Sequence, residues 1–401
     1  MADDCLKVLM LAPTPYFADR GCHVRIYEEA RALTNLGHDV RIVTYHLGRD
    51  MGDIPVCRIP AVPWYKKLSA GPSWHKPYLD ILLFFKALKV AKSFRPDLLH
   101  AHLHEGAFLG IFLKKILKIP LLFDFQGSLI SELTDHGFIS RGSLLFLVFK
   151  GLEKFINRNA DFIITSSGQS RTELQENRDI GAVQVRCLMD GVDNIDFRPY
   201  PGDEARRVLN LPPDEPVALF LGVLNRYQGL DILLEVIRLL KEKGLAIHFL
   251  IMGFPDEKYR RMTDEAGLSD RVTFTGRIDY SMAAFYLSAG DVALSPKISL
   301  SEANGKLFNY MACGLPTVTF DTPINREILG SAGVYAKYAD AGDFAAKLEA
   351  LIMNTQGRLE LAQMGLERVA RNHSWQARGK ALEGIYMEIV EVNKRYRSLK
   401  V

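Results

Sequence analysis

The residues from Leu6 to Tyr45 read LKVLMLAPTPYFADRGCHVRIYEEARALTNLGHDVRIVTY. An apolar run is followed by a proline-rich loop, by a helical pattern that begins at His23, and by a second apolar run over 39–45. This order predicts a βαβ unit and hence a parallel sheet. Because open parallel sheets bind ligands at the carboxyl ends of their strands, we expect the loop 13–22 to face a ligand. Gly21 is a candidate for close approach to a phosphate, and a plain turn glycine is the equal alternative.

The alternation of apolar runs and helical patterns continues along the chain. A stretch rich in glycine and proline, 190–213, interrupts it, and the rhythm restarts at Val217. Two such α/β halves predict two doubly wound, Rossmann-like domains that face each other across a cleft. We expect an N-terminal domain over 1–195, a C-terminal domain over 196–374, and a helical tail over 375–401 that packs back on the N-terminal domain.

The composition is that of an ordinary globular protein, with 48% hydrophobic and 24% charged residues in a chain of 401. A net charge of +3 gives no indication of a nucleic-acid partner. Five scattered cysteines without a C-x-x-C motif, and an acidic N-terminus without a secretory leader, predict a cytoplasmic location. No apolar run approaches the roughly 20 residues that a membrane-spanning helix needs.

Several common motifs are absent from the sequence. There is no G-x-x-x-x-G-K-[ST], no G-x-G-x-x-G after a strand, no G-x-S-x-G and no H-E-x-x-H. Their absence argues against P-loop phosphoryl transfer and ordinary dinucleotide binding. A D-x-D pair that would hold a divalent cation against a diphosphate is also missing. Protein groups must therefore neutralise any bound diphosphate.

A dense group of polar residues lies between Ser295 and Asp321. A helix start with a cation, a carboxylate and amides suits an anionic, hydroxyl-rich ligand, because free N–H groups and the helix dipole favour negative charge there. A simpler interpretation is a cluster that caps the helix, which would explain Asn304 as well. The group consists of Ser301, Glu302, Asn304, Gly305, Lys306 and Asn309.

Three histidines, His100, His102 and His104, alternate at the end of a predicted strand and would share one face of it. They could form a metal site, but no cysteine or carboxylate lies locally as a fourth ligand, and Glu105 faces the other way by parity. The sequence therefore favours no metal, with His104 as a catalytic or substrate-binding imidazole. Bonding of all three to the backbone stays as an alternative.

Five motifs occur in the order of one enzyme family. They are the glycine loop at Gly21, HLHE at 102–105, DGVDNIDFRP at 190–199, LGVLNRYQGLD at 221–231 and NYMACGLPTV at 309–318. With them, nearly the whole chain resembles the GT-B-fold retaining glycosyltransferases of family 4, which include sucrose synthases and phosphatidylinositol mannosyltransferases. The resemblance implies a UDP- or GDP-linked sugar bound mainly by the C-terminal domain and an acceptor bound mainly by the N-terminal domain. It also implies retention of anomeric configuration, with no obligatory metal or other cofactor.

The resemblance assigns roles to individual residues. His104 matches the family histidine near the anomeric centre of the donor sugar, and Glu302 is assigned a catalytic role beside it. Gln126 falls where many members have a second histidine, and we assign it with Tyr16 to acceptor binding. The donor-binding assignments are Gly21, Gly222, Arg226, Arg277, Ile278, Ser301, Asn304, Gly305, Lys306, Leu307 and Asn309.

Two departures from the family pattern bear on the diphosphate and the sugar. The family's arginine and lysine that neutralise the diphosphate are replaced by Val223 and Gln228, and its glutamate pair is altered, with Glu302 one step late. Because an uncompensated diphosphate would be costly, we expect Lys306 to supply the charge, with Arg226 as helper. Solvated side chains remain the alternative for both.

Basic and aromatic residues are mixed between Trp64 and Arg95, and again over 112–116 and 138–154. Such segments suit an anionic membrane surface, here the inner face, and equally a helix with a solvated basic edge. The sequence thus predicts a hexosyltransferase acting on a sugar, glycan or lipid-linked acceptor. A sugar-nucleotide epimerase of the same fold and a non-catalytic nucleotide-sugar-binding partner remain alternatives.

Overall fold

The structure is a computed structural model that describes residues 5–52, 54–68, 73–135, 137–176, 180, 183–300 and 302–398. The chain divides into two compact units. Unit 1 contains the chain up to Met189, together with Glu302, Ala303 and the chain from Trp375 onward. Unit 2 contains the chain from Asp190 to Leu300 and from Asn304 to Ser374.

Unit 1 is built on a seven-stranded parallel sheet with the order β3-β2-β1-β4-β5-β6-β7. Its strands are β1 (Lys7–Ala12), β2 (Asp39–Thr44), β3 (Val56–Arg58), β4 (Leu98–His102), β5 (Leu121–Phe125), β6 (Phe162–Thr165) and β7 (Gln184–Cys187). Its helices are α1 (Gly21–Asn35), α2 (Lys76–Phe94), α3 (Leu103–Leu117), α4 (Leu129–Asp135), α5 (Leu144–Asn159), α6 (Gly168–Glu176) and α15 (Trp375–Ser398).

The central strands of unit 1 are apolar along most of their length because helices cover the sheet. Leu9, Leu99 and Phe123 come from neighbouring strands, are fully buried, and belong to one core with Ala107 and Leu113 of α3. The strand order reverses between β1 and β4, so the loops that follow these two strands meet at one edge of the sheet.

Unit 2 is built on a six-stranded parallel sheet with the order β10-β9-β8-β11-β12-β13. Its strands are β8 (Val217–Leu221), β9 (His248–Met252), β10 (Val272–Gly276), β11 (Val292–Ser295), β12 (Thr317–Phe320) and β13 (Gly333–Ala336). Its helices are α7 (Gly202–Val208), α8 (Leu230–Glu242), α9 (Glu257–Glu265), α10 (Ala283–Leu287), α11 (Lys306–Ala312), α12 (Pro323–Leu329), α13 (Ala341–Met353) and α14 (Thr355–Asn372). The prediction of two doubly wound sheets with C-terminal helices is confirmed.

Helix α15 lies against α1 in unit 1. A side chain added at Gly379 would come within 2.8 Å of the Ala32 Cβ, so only a glycine allows this close approach. The Tyr386 hydroxyl lies 2.6 Å from His100 Nδ1 in the interior, and His38 Nε2 lies 3.1 Å from Glu383 Oε1. These contacts make α15 part of the core of unit 1.

The structure corrects several elements expected from the sequence. The sequence pattern over 53–60 predicts a strand, of which β3 covers only Val56–Arg58, and residue 53 lies outside the described part. His104 lies in α3 and does not share the strand face of His100 and His102, because Leu103 has a φ of +62° and turns the chain out of the strand. The sequence pattern also misses the helices α4, α6, α7 and α12, which are too short to show a clear period.

Across the part of the chain that the structure describes, no helix combines the length and the apolar character needed to cross a lipid bilayer.

Candidate functional site

Several of the predicted donor-binding residues of unit 2 lie where the strand order reverses, between β8 and β11. Ligands of open α/β sheets bind at this point, outside the carboxyl ends of the strands. Gly222 follows β8 directly and has a φ of +152°, which favours glycine. The loop after β11 leads into α11, so the polar residues predicted from the sequence meet Gly222 here.

Lys306 is the central cation of this site. Its Nζ donates a hydrogen bond of 2.6 Å to Gln228 Oε1 and lies 4.1 Å from the centre of the Phe220 ring. A side chain added at Gly222 would come within 2.9 Å of the same Nζ. Among the described residues no carboxylate lies within ion-pair distance of the amine. Burial, together with the charge of Lys297, lowers the pKa of Lys306 well below its usual range.

Asn304 lies beside the lysine in a buried network. Its side chain is 2% exposed and its Nδ2 donates to Ser295 Oγ and Asn325 Oδ1, each at 2.9 Å. Within the described chain, its buried Oδ1 accepts no hydrogen bond. Asn304 does not cap the following helix, because Gly305 is the N-cap residue and no side chain bonds there. The amide is therefore held in place by the core and keeps one acceptor atom unused.

The other predicted donor residues of α11 have different surroundings. A side chain at Gly305 would come within 2.9 Å of Asp190 Oδ2, so the chain passes close to that carboxylate. Leu307 is fully buried in the core, Asn309 is half-buried, and Arg226 is exposed. Ser301 lies outside the described residues.

A cavity of about 360 Å³ lies beside the edge strand β10 of unit 2. Its lining includes Arg277 and Ile278, the two residues expected near the nucleobase. The Arg277 guanidinium lies 5.4 Å from the centre of the Phe254 ring. The lining extends from Thr273 inside β10 to Asp279 beyond its end.

In unit 1, His104 stands in the first turn of α3 at the carboxyl edge of the sheet. Its ring contacts Phe123 and Phe125, with centroids 5.1 and 5.2 Å away. Burial lowers the pKa of His104, so its imidazole is neutral at neutral pH. In the described part of the chain, its buried Nε2 has no hydrogen-bond partner, and Glu153 Oε1 lies 4.0 Å from it. A neutral imidazole with an unused nitrogen can bind a substrate hydroxyl.

His100 and His102 belong to a separate, fully buried network. His102 Nδ1 lies 3.0 Å from Asp124 Oδ2, and His100 Nε2 lies 3.7 Å from Glu29 Oε2. The ligand atoms of these four residues lie within 4.8 Å of one another, so the carboxylates absent from the local sequence come from α1 and β5. Arg25 bonds both oxygens of Asp124 and lies 3.2 Å from Glu29 Oε1.

The Arg25 guanidinium determines whether this network is an ion-pair network or a metal site. Burial alone would raise the pKa of Asp124, but Arg25 and His102 hold it well below its usual range. Since the arginine occupies the carboxylates that a cation would need, we interpret the cluster as a buried ion-pair network and assign no metal to it.

One of the predicted acceptor residues, Gln126, contacts this network. Gln126 Nε2 donates 2.7 Å to Asp124 Oδ2, which fixes its amide at the end of β5. Tyr16 is fully buried, so we do not carry it into the acceptor site. Gly21 is the first residue of α1, and no atom of the structure lies within 4 Å of a side chain placed there.

Sequence reasoning missed Lys297, which follows β11 and is 4% exposed. Its charge reaches the Lys306 amine, so a second cation stands at the carboxyl edge of the unit 2 sheet. The signal in the sequence was a lysine two residues after the run 292–295, separated from it by Pro296.

Two family descriptions match the chain in sequence. Residues 20–191 match the "Glycosyl transferase 4-like domain", and residues 215–354 match "Glycosyl transferases group 1". The D-inositol 3-phosphate glycosyltransferase 2 of Catenulispora acidiphila is 26% identical over 94% of this chain and 93% of its own length. The sulfoquinovosyl transferase SQD2 of Arabidopsis thaliana is 23% identical over 92% of this chain and 71% of its own.

Solved structures share the fold at low sequence identity. Sucrose-phosphate synthase from Thermosynechococcus elongatus superposes with a TM-score of 0.82 at 20% identity and covers 96% of this chain and 100% of its own. Anabaena HepE in complex with UDP and glucose gives a TM-score of 0.76 at 16% identity, with the same coverage.

Two doubly wound parallel sheets of this kind define the GT-B fold. The chain belongs to glycosyltransferase group 1, family 4.

Proposed function

We propose that the chain is a retaining glycosyltransferase that takes a hexosyl unit from a UDP- or GDP-linked sugar without a metal or other cofactor. The observation that carries the proposal is Lys306, an amine held between Gly222, Phe220 and the Gln228 amide at the strand-order reversal of unit 2. A half-buried cation without a carboxylate beside it is costly, and a diphosphate would supply the missing charge. HepE, a structural neighbour, binds UDP and glucose.

Catalysis in this proposal rests on positioning of the donor sugar and on stabilisation of the departing diphosphate. Lys306 stabilises the negative charge that develops on the leaving group, with the exposed Arg226 as helper. The unused Asn304 Oδ1 accepts a hydrogen bond from a hydroxyl of the donor sugar, and Glu302 is assigned the same task. His104, neutral and oriented by two phenylalanine rings, holds the sugar near the reacting carbon.

The acceptor is a sugar, a glycan or a lipid-linked sugar bound by unit 1. Relatives of the chain are named for transfer to D-inositol 3-phosphate and for sulfoquinovosyl transfer. A cytoplasmic location with contact to the inner face of the membrane belongs to the same proposal. Its support is α5, whose apolar residues Leu144 and Leu147 are 78% and 64% exposed beside Lys150.

A donor screen tests this proposal. The protein is incubated with UDP- and GDP-linked glucose, mannose and N-acetylglucosamine, each with inositol phosphate as a trial acceptor, and released nucleoside diphosphate is measured. Proton NMR of the product reports whether the anomeric configuration is retained. We expect release with at least one donor and retention of configuration, and an inverted product would overturn the retaining assignment.

The same screen separates the two alternatives. An epimerase of this fold would convert the sugar nucleotide to an isomer, and the isomer would be found without any acceptor. A non-catalytic binding partner would raise the melting temperature with a nucleotide but release no diphosphate with any donor. Absence of nucleotide binding, measured by calorimetry, would contradict all three.

A further inference from the structure

The buried network around Asp124 is joined to a half-buried side chain at the carboxyl edge of the unit 1 sheet. Arg25, His102 and Asp124 are 2%, 0% and 0% exposed, so they are closed to a ligand. Gln126 follows the end of β5 and is half-buried. Its Nε2 donates a hydrogen bond of 2.7 Å to Asp124 Oδ2. Gln126 therefore connects the buried charges to the edge at which open α/β sheets bind ligands.

Asp124 acts only as an acceptor of hydrogen bonds. Arg25 donates from Nε to Oδ2 at 2.9 Å and from Nη2 to Oδ1 at 2.8 Å, so the arginine holds both carboxylate oxygens. Arg25 Nη1 donates to the carbonyl oxygen of Leu188 at 3.0 Å, which fixes the guanidinium in turn. A carboxylate held in this way by a buried guanidinium is ionised and has no proton to donate.

The ionised carboxylate determines how its two other partners are oriented. His102 Nδ1 lies 3.0 Å from Asp124 Oδ2 and must carry a proton to bond there. An amide donates through its nitrogen and accepts through its oxygen, so Gln126 must turn its nitrogen toward Asp124. The Gln126 Oε1 then faces away from the carboxylate. In the described part of the chain this oxygen accepts no hydrogen bond, and it is not enclosed by the protein.

We infer that Asp124, held by Arg25, is a positioning residue that turns the carbonyl oxygen of Gln126 toward a hydroxyl of the acceptor. Asp124 does not touch the substrate and acts through Gln126. A carbonyl oxygen accepts a hydrogen bond from a hydroxyl and repels an anion, so the Gln126 oxygen favours a neutral hydroxyl group. The inference rests on the proposed function and assigns a task to buried charges that the proposed chemistry leaves unused.

Gln126→Glu tests this orientation, because a carboxyl resembles the amide in only one of its protonation states. When protonated, the introduced carboxyl donates its O–H to Asp124 and turns its other oxygen outward, as the amide does. When ionised, it places a second negative charge against Asp124. Burial and the like charge raise the pKa of the introduced carboxyl, so the protonated form is lost as pH rises through that raised value. The other titratable groups around the pair are unchanged in the variant and are Arg25, Glu29, His100 and His102.

The first readout needs no substrate. The melting temperatures of wild type, Gln126→Glu and Gln363→Glu are measured by calorimetry from about pH 5 to about pH 9. Gln363 is the matched control, because it is an exposed glutamine whose Nε2 donates to Glu367 Oε1 at 3.0 Å. We expect Gln126→Glu to melt with wild type at the lowest pH and about 3 °C or more below it at the highest, because a carboxyl whose pKa is higher in the folded state destabilises that state as pH rises. A difference from wild type that is the same at every pH would overturn the inference.

Turnover distinguishes positioning from a purely structural role. With inositol phosphate as acceptor, the KM of Gln126→Glu should equal the wild-type value at low pH and rise about tenfold at high pH, while the affinity for UDP stays unchanged. Asp124→Asn should raise KM at every pH, because Arg25 keeps the new amide oxygen on its own side and the new nitrogen turns the Gln126 amide over.

The double variant Gln126→Glu, Asp124→Asn provides a rescue. Its asparagine nitrogen donates to the ionised carboxyl, which leaves the other carboxyl oxygen facing outward at every pH. We therefore expect its KM to lose the pH dependence of Gln126→Glu. A double variant whose KM depends on pH as that of Gln126→Glu does would overturn the inference.

The outcomes separate this inference from the proposed function. Wild type that binds no UDP would contradict the proposed function. Normal UDP binding, with melting temperature and KM of Gln126→Glu that follow wild type at every pH, would contradict only this inference. If the two variants with Asp124→Asn do not fold, the pH profiles of Gln126→Glu, which retains Arg25, Asp124 and His102, decide the question alone.

Discussion

At the level of single residues, the pair Lys306 and Gln228 shows how this chain departs from its family pattern. Position 228 holds an amide where the family pattern has a lysine, and this amide accepts a hydrogen bond from Lys306 at 2.6 Å. In the proposed function the charge comes from the start of α11 instead of the loop after β8, and the Gln228 amide orients it. The sequence predicted the lysine, but the partner could only be found in three dimensions.

Replacing Lys306 by methionine tests this role. Methionine keeps an apolar stem over the Phe220 ring but removes the charge and the donors. We expect affinity for UDP or GDP to fall by about tenfold or more, since a hydrogen bond to a charged group contributes about 1.5–3 kcal/mol. Isothermal titration calorimetry measures this nucleotide affinity. Lys347→Met, an exposed lysine of α13, should bind as wild type does, and unchanged affinity in Lys306→Met would exclude the assignment.

The protonation of Lys306 gives a pH dependence with a definite sign. Burial first, and then the charge of Lys297, lower its pKa in the free protein. A bound diphosphate favours the charged amine and raises that pKa, so binding takes up a proton between the two values. Nucleotide affinity is therefore full below the free-state pKa and falls as pH rises toward the bound-state pKa. Calorimetry in buffers of different ionisation enthalpy should show this uptake in wild type and its loss in Lys306→Arg; equal uptake in both would contradict the assignment.

At the level of elements, the helices and strands with strong periodicity are those that the sequence predicted well. The helix α1 and the buried strands β1, β2 and β8 fall where the pattern placed them. The short helices α4 and α6 lack enough turns to show a period. The cluster around Asp124 was also beyond reach, because its members come from α1, β4, β5 and α15, and register in space cannot be deduced from spacing along the chain.

One buried hydrogen bond joins α15 to the strand β4 of unit 1. Tyr386→Phe removes the hydroxyl that lies 2.6 Å from His100 Nδ1 and leaves a buried imidazole nitrogen unsatisfied. We expect the free energy of unfolding to fall by about 1–3 kcal/mol, measured by urea denaturation. Val392→Ala, at a site that is 62% exposed on the same helix, should change it by less than about 0.5 kcal/mol. Equal stability of Tyr386→Phe and wild type would show that the bond contributes nothing.

The exposed face of α5 makes a separate prediction about membranes. Val148 is 56% exposed on the apolar side of this helix, while Phe146 and Phe149 turn inward onto a small core. Val148→Asp should weaken co-sedimentation with anionic vesicles about tenfold, because it loses apolar burial and adds a repelled charge. The control is Leu359→Asp, at a leucine 62% exposed on α14. Vesicle binding that is unchanged in Val148→Asp, or equally weak in wild type, would remove α5 as a membrane surface.

At the level of the whole molecule, the division into two units explains why the sequence predicts the fold more completely than the site. Each sheet follows from an alternation of strands and helices that the sequence repeats twice. The site residues predicted around Lys306 follow one another in the chain, so a motif could find them. The buried network of unit 1, in contrast, joins Arg25, His102 and Asp124, which are far apart in sequence and meet only in the folded sheet.

The path of the chain predicts how the molecule loses structure when its last helix is removed. The chain leaves unit 2 at Ser374, which pairs with Val192, and α15 then returns to unit 1, where Leu382 and Tyr386 are fully buried. A protein ending at Ser374 should therefore lose stability in unit 1 alone, with its calorimetric transition lowered by about 10 °C or more. Unit 2 keeps all its own elements, so UDP should still raise the melting temperature of its transition. Loss of the UDP-responsive transition together with the other would show that the two units do not fold independently.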